Sequence, residues 1–232
     1  EPALAPGWFS PSDPIWTIHG SVATFAGGIR ALMLQTLHPL ALAGVDQHSR
    51  YRDDPFGRLQ RTGAFIAATT FGSVDLASGT VAAVRRIHES VRGTAPDGRP
   101  YCADDDRLLT WVHITLTDSM LAAYQQYGRD GAIDPDGYVA DMAVVGRAMG
   151  VQQPPTDADE LRRTMADFRP ELSAGSDAQR MLQFVRRPPL SRPLRPGYRV
   201  LAAGAAALLE PPHRALLGWD PLSPPRLRIT HG

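Results

Sequence analysis

Apolar residues recur along most of this chain at intervals of three and four positions, the spacing of one face of an α-helix. Aspartate–proline pairs at 13–14, 54–55 and 134–135 indicate helix starts, because aspartate favours the N-cap and proline the first helical position. Ser73, the acidic cluster at 104–106 and a possible Thr156/Asp159 capping box indicate three more starts. The predicted helices run from Pro14, from Val22 to Leu37 with a break or new start at Pro39, from Pro55 to about Phe71, from Ser73 to about Val91, from Asp104 to about Tyr127, from Asp134 to near Gly150, from Thr156 to about Phe168, from Ser176 to Val185 and from Pro196 to Leu209.

Strand signals are weak by comparison. No run of alternating β-branched residues reaches five positions, and no hairpin dipeptide lies between such runs. Two proline-rich segments, Pro188–Pro196 and Pro211–Pro225, are interpreted as ordered connections. We therefore predict one all-α domain over residues 1–232, built from about eight to ten helices.

The charge composition limits the partners of this chain. Its 24 cationic and 24 acidic side chains give a formal net charge of zero, which favours neither nucleic acid nor an anionic membrane as a partner. Every cation is an arginine, so no lysine amine can act as a base or a metal ligand. The longest apolar run, Val200 to Leu209, is too short to cross a bilayer, and the first residues lack a secretion signal. We expect a cytoplasmic protein without a transmembrane segment.

Cys102 is the only cysteine of the chain. A single cysteine excludes intrachain disulfides, thiolate zinc sites and iron–sulfur clusters. It follows Pro100 and Tyr101 in a turn-like stretch, and we interpret it as an inert thiol rather than a haem ligand.

His113 lies alone on the apolar side of the helix predicted from Asp104. At about 100° per residue it shares a face with Leu109, Leu116 and Met120, whereas Trp111 points away. The residues leave two interpretations open. The imidazole is either a core histidine bonded to a backbone carbonyl, or a neutral ligand that holds haem iron.

A second chemical pattern lies on the helix predicted from Pro55. Arg58, Arg61, Thr62 and Phe65 fall within one broad sector of that helix. Such a sector is usually a solvated face. If it faces inward, the guanidinium groups need anionic partners, and no acid lies one turn away on the same face. A bound anion such as a haem propionate would satisfy them.

His38 and His48 are the remaining candidate ligands. His38 precedes Pro39 at a helix start, where its side chain can cap the helix, and His48 lies where that helix ends, which favours a cationic imidazole. The functional interpretation makes each of them a supporting group of a metal site or a sixth iron ligand.

Motifs for competing chemistries are missing or incomplete. A di-iron carboxylate bundle needs two Glu-x-x-His pairs, and only Glu210 and His213 have this spacing, separated by two prolines. The chain contains no His-Glu-x-x-His, Gly-x-Ser-x-Gly or Gly-x-Gly-x-x-Gly motif. An iron site of two histidines and one carboxylate stays open, because its ligands can lie far apart in sequence.

Two segments resemble the rubber oxygenase (latex clearing protein) and MpaB-type oxygenase family. They are LHPLALAGVDQHSRYRDDPFGRLQRT at positions 37–62 and LLTWVHITLTDSMLAAY at positions 108–124, and the later LLEPPHRALLGW is also similar. The resemblance implies an all-helical protein that binds haem b. The best-known members of the family cleave carbon–carbon double bonds of isoprenoid chains with dioxygen.

Position by position, the resemblance implies that His113 is the proximal iron ligand. Arg58 matches an arginine and Thr62 a threonine of the family's distal helix. Arg61 stands where the rubber enzymes have a lysine that can occupy the sixth iron position, and arginine, which stays protonated, cannot do so. The stretch from Ile29 to Gly57 also lacks the glutamate that the rubber enzymes have before this helix.

These observations lead to one expected function and two alternatives. We expect a haem b-dependent oxygenase or oxidase that uses dioxygen on an apolar small molecule, in a helical domain around a buried haem pocket. His113 would hold the iron, Arg61 and Thr62 would donate hydrogen bonds to the bound oxygen, and Arg58 would pair with a propionate. The alternatives are a haem protein without turnover, for sensing, gas binding or transport, and a helical binding module that has lost haem.

Overall fold

The computed structural model describes residues 6–49, 55–129 and 131–219, without the side chains of residues 55–59. Within these ranges the chain forms eleven α-helices and one small hairpin, which confirms the predicted all-α fold. The α-helices are α1 Pro14–Gly20, α2 Thr24–Gln35, α3 Pro39–His48, α4 Pro55–Phe71, α5 Val74–Ser90, α6 Asp106–Tyr127, α7 Pro135–Met149, α8 Ala158–Asp167, α9 Ser176–Arg186, α10 Arg195–Ala207 and α11 Pro211–Leu217. Short 3-10 turns lie at Arg169–Glu171 and Arg192–Leu194.

Side-chain capping explains several of the helix starts. The side chains of Ser73, Asp105 and Asp134 each accept hydrogen bonds from backbone amides in the first turn of α5, α6 and α7. These bonds satisfy donors that have no partner within the helix itself. At the other end of α7, Gly150 has a φ of 107°, a left-handed conformation that glycine adopts without steric cost and that ends the helix.

Three local predictions were wrong. The segment after Pro211 is not only a connection, because α11 begins there with proline in its first turn. Asp157, rather than Thr156, caps α8 by accepting from the amide of Glu160, although the Glu160 carboxylate does accept from the Thr156 amide as in a capping box. Two three-residue strands, β1 Arg92–Thr94 and β2 Pro100–Cys102, form an antiparallel hairpin before α6.

The long helix α6 is the centre of the core. It is enclosed on several sides, so Trp111, which was predicted to point away from the core, is fully buried. Its closest partner is α2, where Gly27 packs against α6 so tightly that an added Cβ would lie 3.0 Å from the Ser119 carbonyl oxygen. One cluster of buried apolar side chains runs from Phe9 to Leu217 and includes residues of most of the helices.

Helix α4 is attached to this core unevenly. It packs chiefly against α5 and α1. Residues 60–64 are exposed, whereas Ala68, Thr69 and Thr70 near its end are buried. Among the side chains that the structure describes in α4, those near its C-terminal end join the core and those of residues 60–64 lie at the surface. Over the described ranges, none of the helices is both long and apolar enough to span a membrane.

Candidate functional site

His113 lies in the middle of α6 and is 8 % exposed. On the same face, Met120 is buried and Leu109 and Leu116 are partly buried. The burial of His113 confirms the predicted inward position of the imidazole. The hydroxyl of Thr117 donates to the backbone carbonyl oxygen of His113 at 2.9 Å, a bond that does not involve the ring.

The electrostatics of His113 favour an uncharged ring. Burial lowers its pKa from 6.5 to about 4, because the enclosed site disfavours the imidazolium cation. Its Nε2 atom is buried and has no hydrogen-bond partner among the described residues. An orphaned polar atom of this kind is uncommon in a folded core, where almost every buried nitrogen is paired. A neutral imidazole nitrogen that carries a lone pair can bind a metal ion.

Gly146 of α7 forms the wall against which the ring lies. An added Cβ at this glycine would be 2.8 Å from Cε1 and 2.9 Å from Nε2 of His113. No side chain larger than hydrogen fits there without displacing the imidazole. The close approach of α7 thus fixes the orientation of the ring and the position of its free nitrogen.

Helix α4 carries the other residues predicted for the site. Arg58 belongs to α4, but its side chain lies outside the described residues. Arg61 and Thr62 are exposed, and Phe65 beyond them is half-buried and packs against the core. The roles expected for Arg58, Arg61 and Thr62 in binding stay predictions.

His38 has both ring nitrogens occupied. Nδ1 accepts from the Ala41 amide at 3.4 Å and so caps α3, while Nε2 lies 3.2 Å from a carboxylate oxygen of Glu171. Because Nδ1 accepts, the proton lies on Nε2 and is donated to Glu171. The same carboxylate accepts from Arg107 at 2.5 Å. This network supports the capping interpretation and leaves no lone pair for a metal in this state.

His48 is engaged by the hairpin. Its Nε2 lies 3.0 Å from the hydroxyl of Tyr101, and that hydroxyl donates to Gln47 at 2.8 Å. The two rings meet edge to face with centroids 6.1 Å apart. The contact joins the end of α3 to β2, and the roles in cofactor binding expected for His38 and His48 remain predictions.

His19 is a polar link that the sequence patterns did not single out. Its Nδ1 lies 2.7 Å from the hydroxyl of Thr70 in α4, and its Nε2 lies 3.1 Å from the hydroxyl of Tyr138 in α7. The residue is only partly buried, yet burial of the ring lowers its pKa to about 4. The sequence offered one signal for His19: it lies four residues after Ile15 and next to Ile18, the two residues that form the buried side of α1.

A second orphaned histidine lies on α11. His213 is 3 % exposed, and neither of its ring nitrogens has a hydrogen-bond partner among the described residues. Burial lowers the pKa of His213, and the charges of Arg30 and Asp118 also affect it. The buried Arg30 forms an ion pair with Asp118 at 2.5 Å. In the sequence, His213 was considered only because its spacing from Glu210 matches half of a di-iron motif.

The described ranges contain no cluster of metal-binding side chains. Across them, no three side chains of histidine, cysteine, aspartate or glutamate come together in a group that could hold an ion. The site of two histidines and one carboxylate that the sequence left open is therefore not formed by these residues. The orphaned Nε2 of His113 fits haem, whose iron needs one protein ligand and whose other ligands belong to the porphyrin.

Comparison with known proteins identifies the family. The family model described as "ER-bound oxygenase mpaB/B'/Rubber oxygenase, catalytic domain" matches residues 16–231. The match covers nearly the whole chain, so the chain belongs to this family of oxygenases and the resemblance inferred from the two segments is confirmed. No curated protein and no solved structure matches the chain significantly.

Proposed function

We propose that this member of the mpaB/rubber oxygenase family is a haem b-dependent oxygenase that acts with dioxygen on an apolar small molecule. The family match supports oxygenase activity. The haem and the class of substrate are the proposal. It depends on one observation above the others, which is the buried, uncharged and unpartnered Nε2 of His113.

His113 would hold the cofactor from one side. At neutral pH its ring is uncharged, because its pKa is lowered to about 4. With the remaining proton on Nδ1, Nε2 would bind iron through its lone pair. Gly146 keeps the ring in a single orientation, so the ligand does not have to be ordered when the iron binds. Haem bound there would supply the redox-active iron that dioxygen chemistry requires.

The residues of α4 would supply the polar contacts of the site. Arg61 and Thr62 would donate hydrogen bonds to oxygen atoms of the reacting molecules, and Arg58 would pair with a propionate. The guanidinium of Arg61 keeps its charge at any usable pH, so it can stabilise negative charge but cannot accept a proton or ligate iron. With no glutamate between Ile29 and Gly57, no glutamate base is proposed in that stretch.

The direct test is the absorption spectrum of the purified protein, oxidised, reduced and with carbon monoxide, together with a haem assay. We expect about one non-covalent haem b per chain, because there is no Cys-x-x-Cys-His motif for covalent attachment. His113→Ala should lose the haem band while its far-ultraviolet dichroism stays helical. A colourless, well-folded parent protein produced with ample haem precursor would overturn the proposal.

His213→Ala is the matched control for that test. His213 is also buried and also has unpartnered nitrogens, but it lies on α11 beside the Arg30–Asp118 pair. The control should keep its haem. Loss of haem in His213→Ala with retention in His113→Ala would transfer the ligand to α11 and refute the assignment.

Turnover separates the oxygenase from a haem protein that only senses or carries. Oxygen consumption should rise when apolar unsaturated molecules are added to the reduced protein. Arg61→Ala should keep its haem but lower this rate by on the order of a hundredfold, the typical cost of losing one preorganised donor. Arg162→Ala, an exposed arginine on α8, is the control that should leave the rate unchanged. A haem-loaded protein that consumes no oxygen with any such substrate would favour the non-catalytic alternative.

A further inference from the structure

The buried part of α4 lies near its C-terminal end, at Ala68, Thr69 and Thr70. Arg61 and Thr62 lie on the same continuous helix, in its exposed segment 60–64. The main partners of α4 are α5 and α1, not the helix that carries His113. Contacts at the buried end therefore contribute to the placement of Arg61 and Thr62.

Helix α1 provides the polar part of that connection. At the start of α1, the Ile15 amide donates to a carboxylate oxygen of Asp141 in α7 at 3.1 Å. At its end, His19 bonds the Tyr138 hydroxyl of the same helix. Two separate hydrogen bonds thus fasten α1 onto α7, the helix whose Gly146 lies against the His113 ring.

The other nitrogen of His19 reaches α4. Its Nδ1 and the Thr70 hydroxyl are 2.7 Å apart, and the Thr70 side chain is fully buried. Nearby, the rings of Trp16 and Phe71 meet edge to face at 4.9 Å and add an apolar contact between the same two helices. One imidazole therefore links three helices through two hydroxyl groups.

A neutral imidazole satisfies both contacts of this link. A neutral ring has one donor and one acceptor nitrogen, and each hydroxyl can either donate or accept, so both contacts are satisfied in either tautomer. The lowered pKa of His19 keeps the ring in this form at neutral pH. The two nitrogens point to opposite sides of the ring, which lets a single side chain span the gap between Thr70 and Tyr138.

We infer that His19 is a positioning residue that clamps α4 onto α7 and thereby sets where Arg61 and Thr62 stand relative to His113. The inference rests on the proposed function as far as the haem is concerned. The clamp itself is a property of the folded chain. Its two contacts, Thr70 and Tyr138, can be removed separately without touching any residue of the proposed site.

The test begins with hydrogen exchange on the full-length chain as purified. Tyr138→Phe and Thr70→Val each remove one hydroxyl and keep the shape of the side chain. Losing one buried hydrogen bond should speed exchange of the amides of residues 60–71 about fivefold, and losing both should speed it further. The amides at the centre of α6 should exchange as in the parent. His19→Asn, which keeps a polar atom near the position of Nδ1, should restore part of the protection that His19→Ala loses.

Tyr101→Phe is the matched control. Tyr101 also bonds a histidine through its hydroxyl, at 3.0 Å from His48, but that contact joins α3 to β2 and does not involve α4. Its exchange over residues 60–71 should equal that of the parent. Unchanged protection of α4 in both Tyr138→Phe and Thr70→Val would overturn the clamp.

A second readout separates positioning from a purely structural role. In the reduced haem protein with carbon monoxide, the C–O stretching band reports on hydrogen-bond donors beside the bound gas. We expect this band to shift or broaden in Tyr138→Phe and Thr70→Val but not in Tyr101→Phe. Faster exchange of α4 with an unchanged band would refute the positioning role. If the parent binds no haem, the proposed function fails, and the exchange data alone decide whether His19 clamps α4.

Discussion

Replacing Gly146 by alanine should destabilise the protein, although the same change usually stabilises a helix. The new Cβ would lie 2.8 to 3.1 Å from three ring atoms of His113, inside normal van der Waals separation. His113 is 8 % exposed and has little room to retreat. The ring must therefore shift, or α6 and α7 must move apart.

Two opposing contributions set the magnitude. Glycine in a helix interior costs about 1 kcal/mol relative to alanine, so the substitution gains roughly that amount from the backbone. Forcing one extra carbon into a packed core costs about 1 to 3 kcal/mol. Gly79 on α5 isolates the first contribution, because an added Cβ there meets nothing within 4 Å. The difference between Gly146→Ala and Gly79→Ala should thus be about 1 to 3 kcal/mol, with Gly146→Ala the less stable.

Urea unfolding of the two variants measures this difference, and a double-mutant cycle identifies its cause. With the ring removed in His113→Ala, the added methyl at Gly146 has room, and Gly146→Ala should become as favourable as Gly79→Ala. A coupling energy of about 1 to 3 kcal/mol between positions 113 and 146 is expected. If Gly146→Ala is as stable as Gly79→Ala in the parent background, or if the coupling is near zero, the packing of His113 against α7 described above is wrong.

Three further predictions concern groups around the site. The haem-free protein should lose stability as the pH falls from about 6.5 towards 4. In this range the unfolded chain binds protons at His19 and His113, whereas the folded chain, in which both pKa values are about 4, does not. Urea unfolding should therefore show a slope of up to about 1.4 kcal/mol per pH unit for each histidine. Arg30→Met should cost about 1 to 3 kcal/mol in the same assay, since it removes the donor shared by the partly exposed Asp118 carboxylate and the buried Ser119 hydroxyl. His38→Ala should cost about 1 kcal/mol through the lost α3 cap and leave the haem content unchanged.

Each of these predictions has a control within the chain. In His113→Ala, the slope of unfolding free energy against pH should be smaller by the contribution of one proton. An unchanged slope would show that His113 is not buried in its neutral form. Arg162→Ala breaks an exposed ion pair on α8 and should cost less than about 1 kcal/mol, so an equal loss in the two arginine variants would contradict the buried pair. Loss of haem in His38→Ala would return His38 to the list of ligands.

The sequence predicted the features that depend on neighbouring residues. Proline at the first helical position and a capping side chain before it define a helix start within a few residues, so the beginnings of α4, α5 and α7 were found from Pro55, Ser73 and Pro135. The inward position of His113 followed from helical periodicity alone. The Pro211 helix was missed because its seven residues are too short to show a period, and two consecutive prolines suggested a connection instead.

Contacts between distant parts of the chain could not be predicted in this way. His19 is 51 residues from Thr70 and 119 from Tyr138, and no local pattern records that these residues meet. The same holds for Gly146, whose importance depends on the ring of a residue on another helix. Periodicity showed which side of α6 was apolar, but not that Trp111 on another side is also buried, since burial depends on how many helices surround α6.

This packing determines which contacts hold each part of the proposed site in place. His113 is fixed by the core itself, through burial in α6 and contact with Gly146. Arg61 and Thr62 are exposed about two turns before the buried end of α4, so contacts made near Thr70 contribute to their position relative to His113. A small rotation at a buried anchor is amplified along a helix, because each residue adds 1.5 Å to the lever arm. Substitutions in α1, which contributes no group to the proposed chemistry, should therefore disturb the arginine side of the site before they disturb the histidine side.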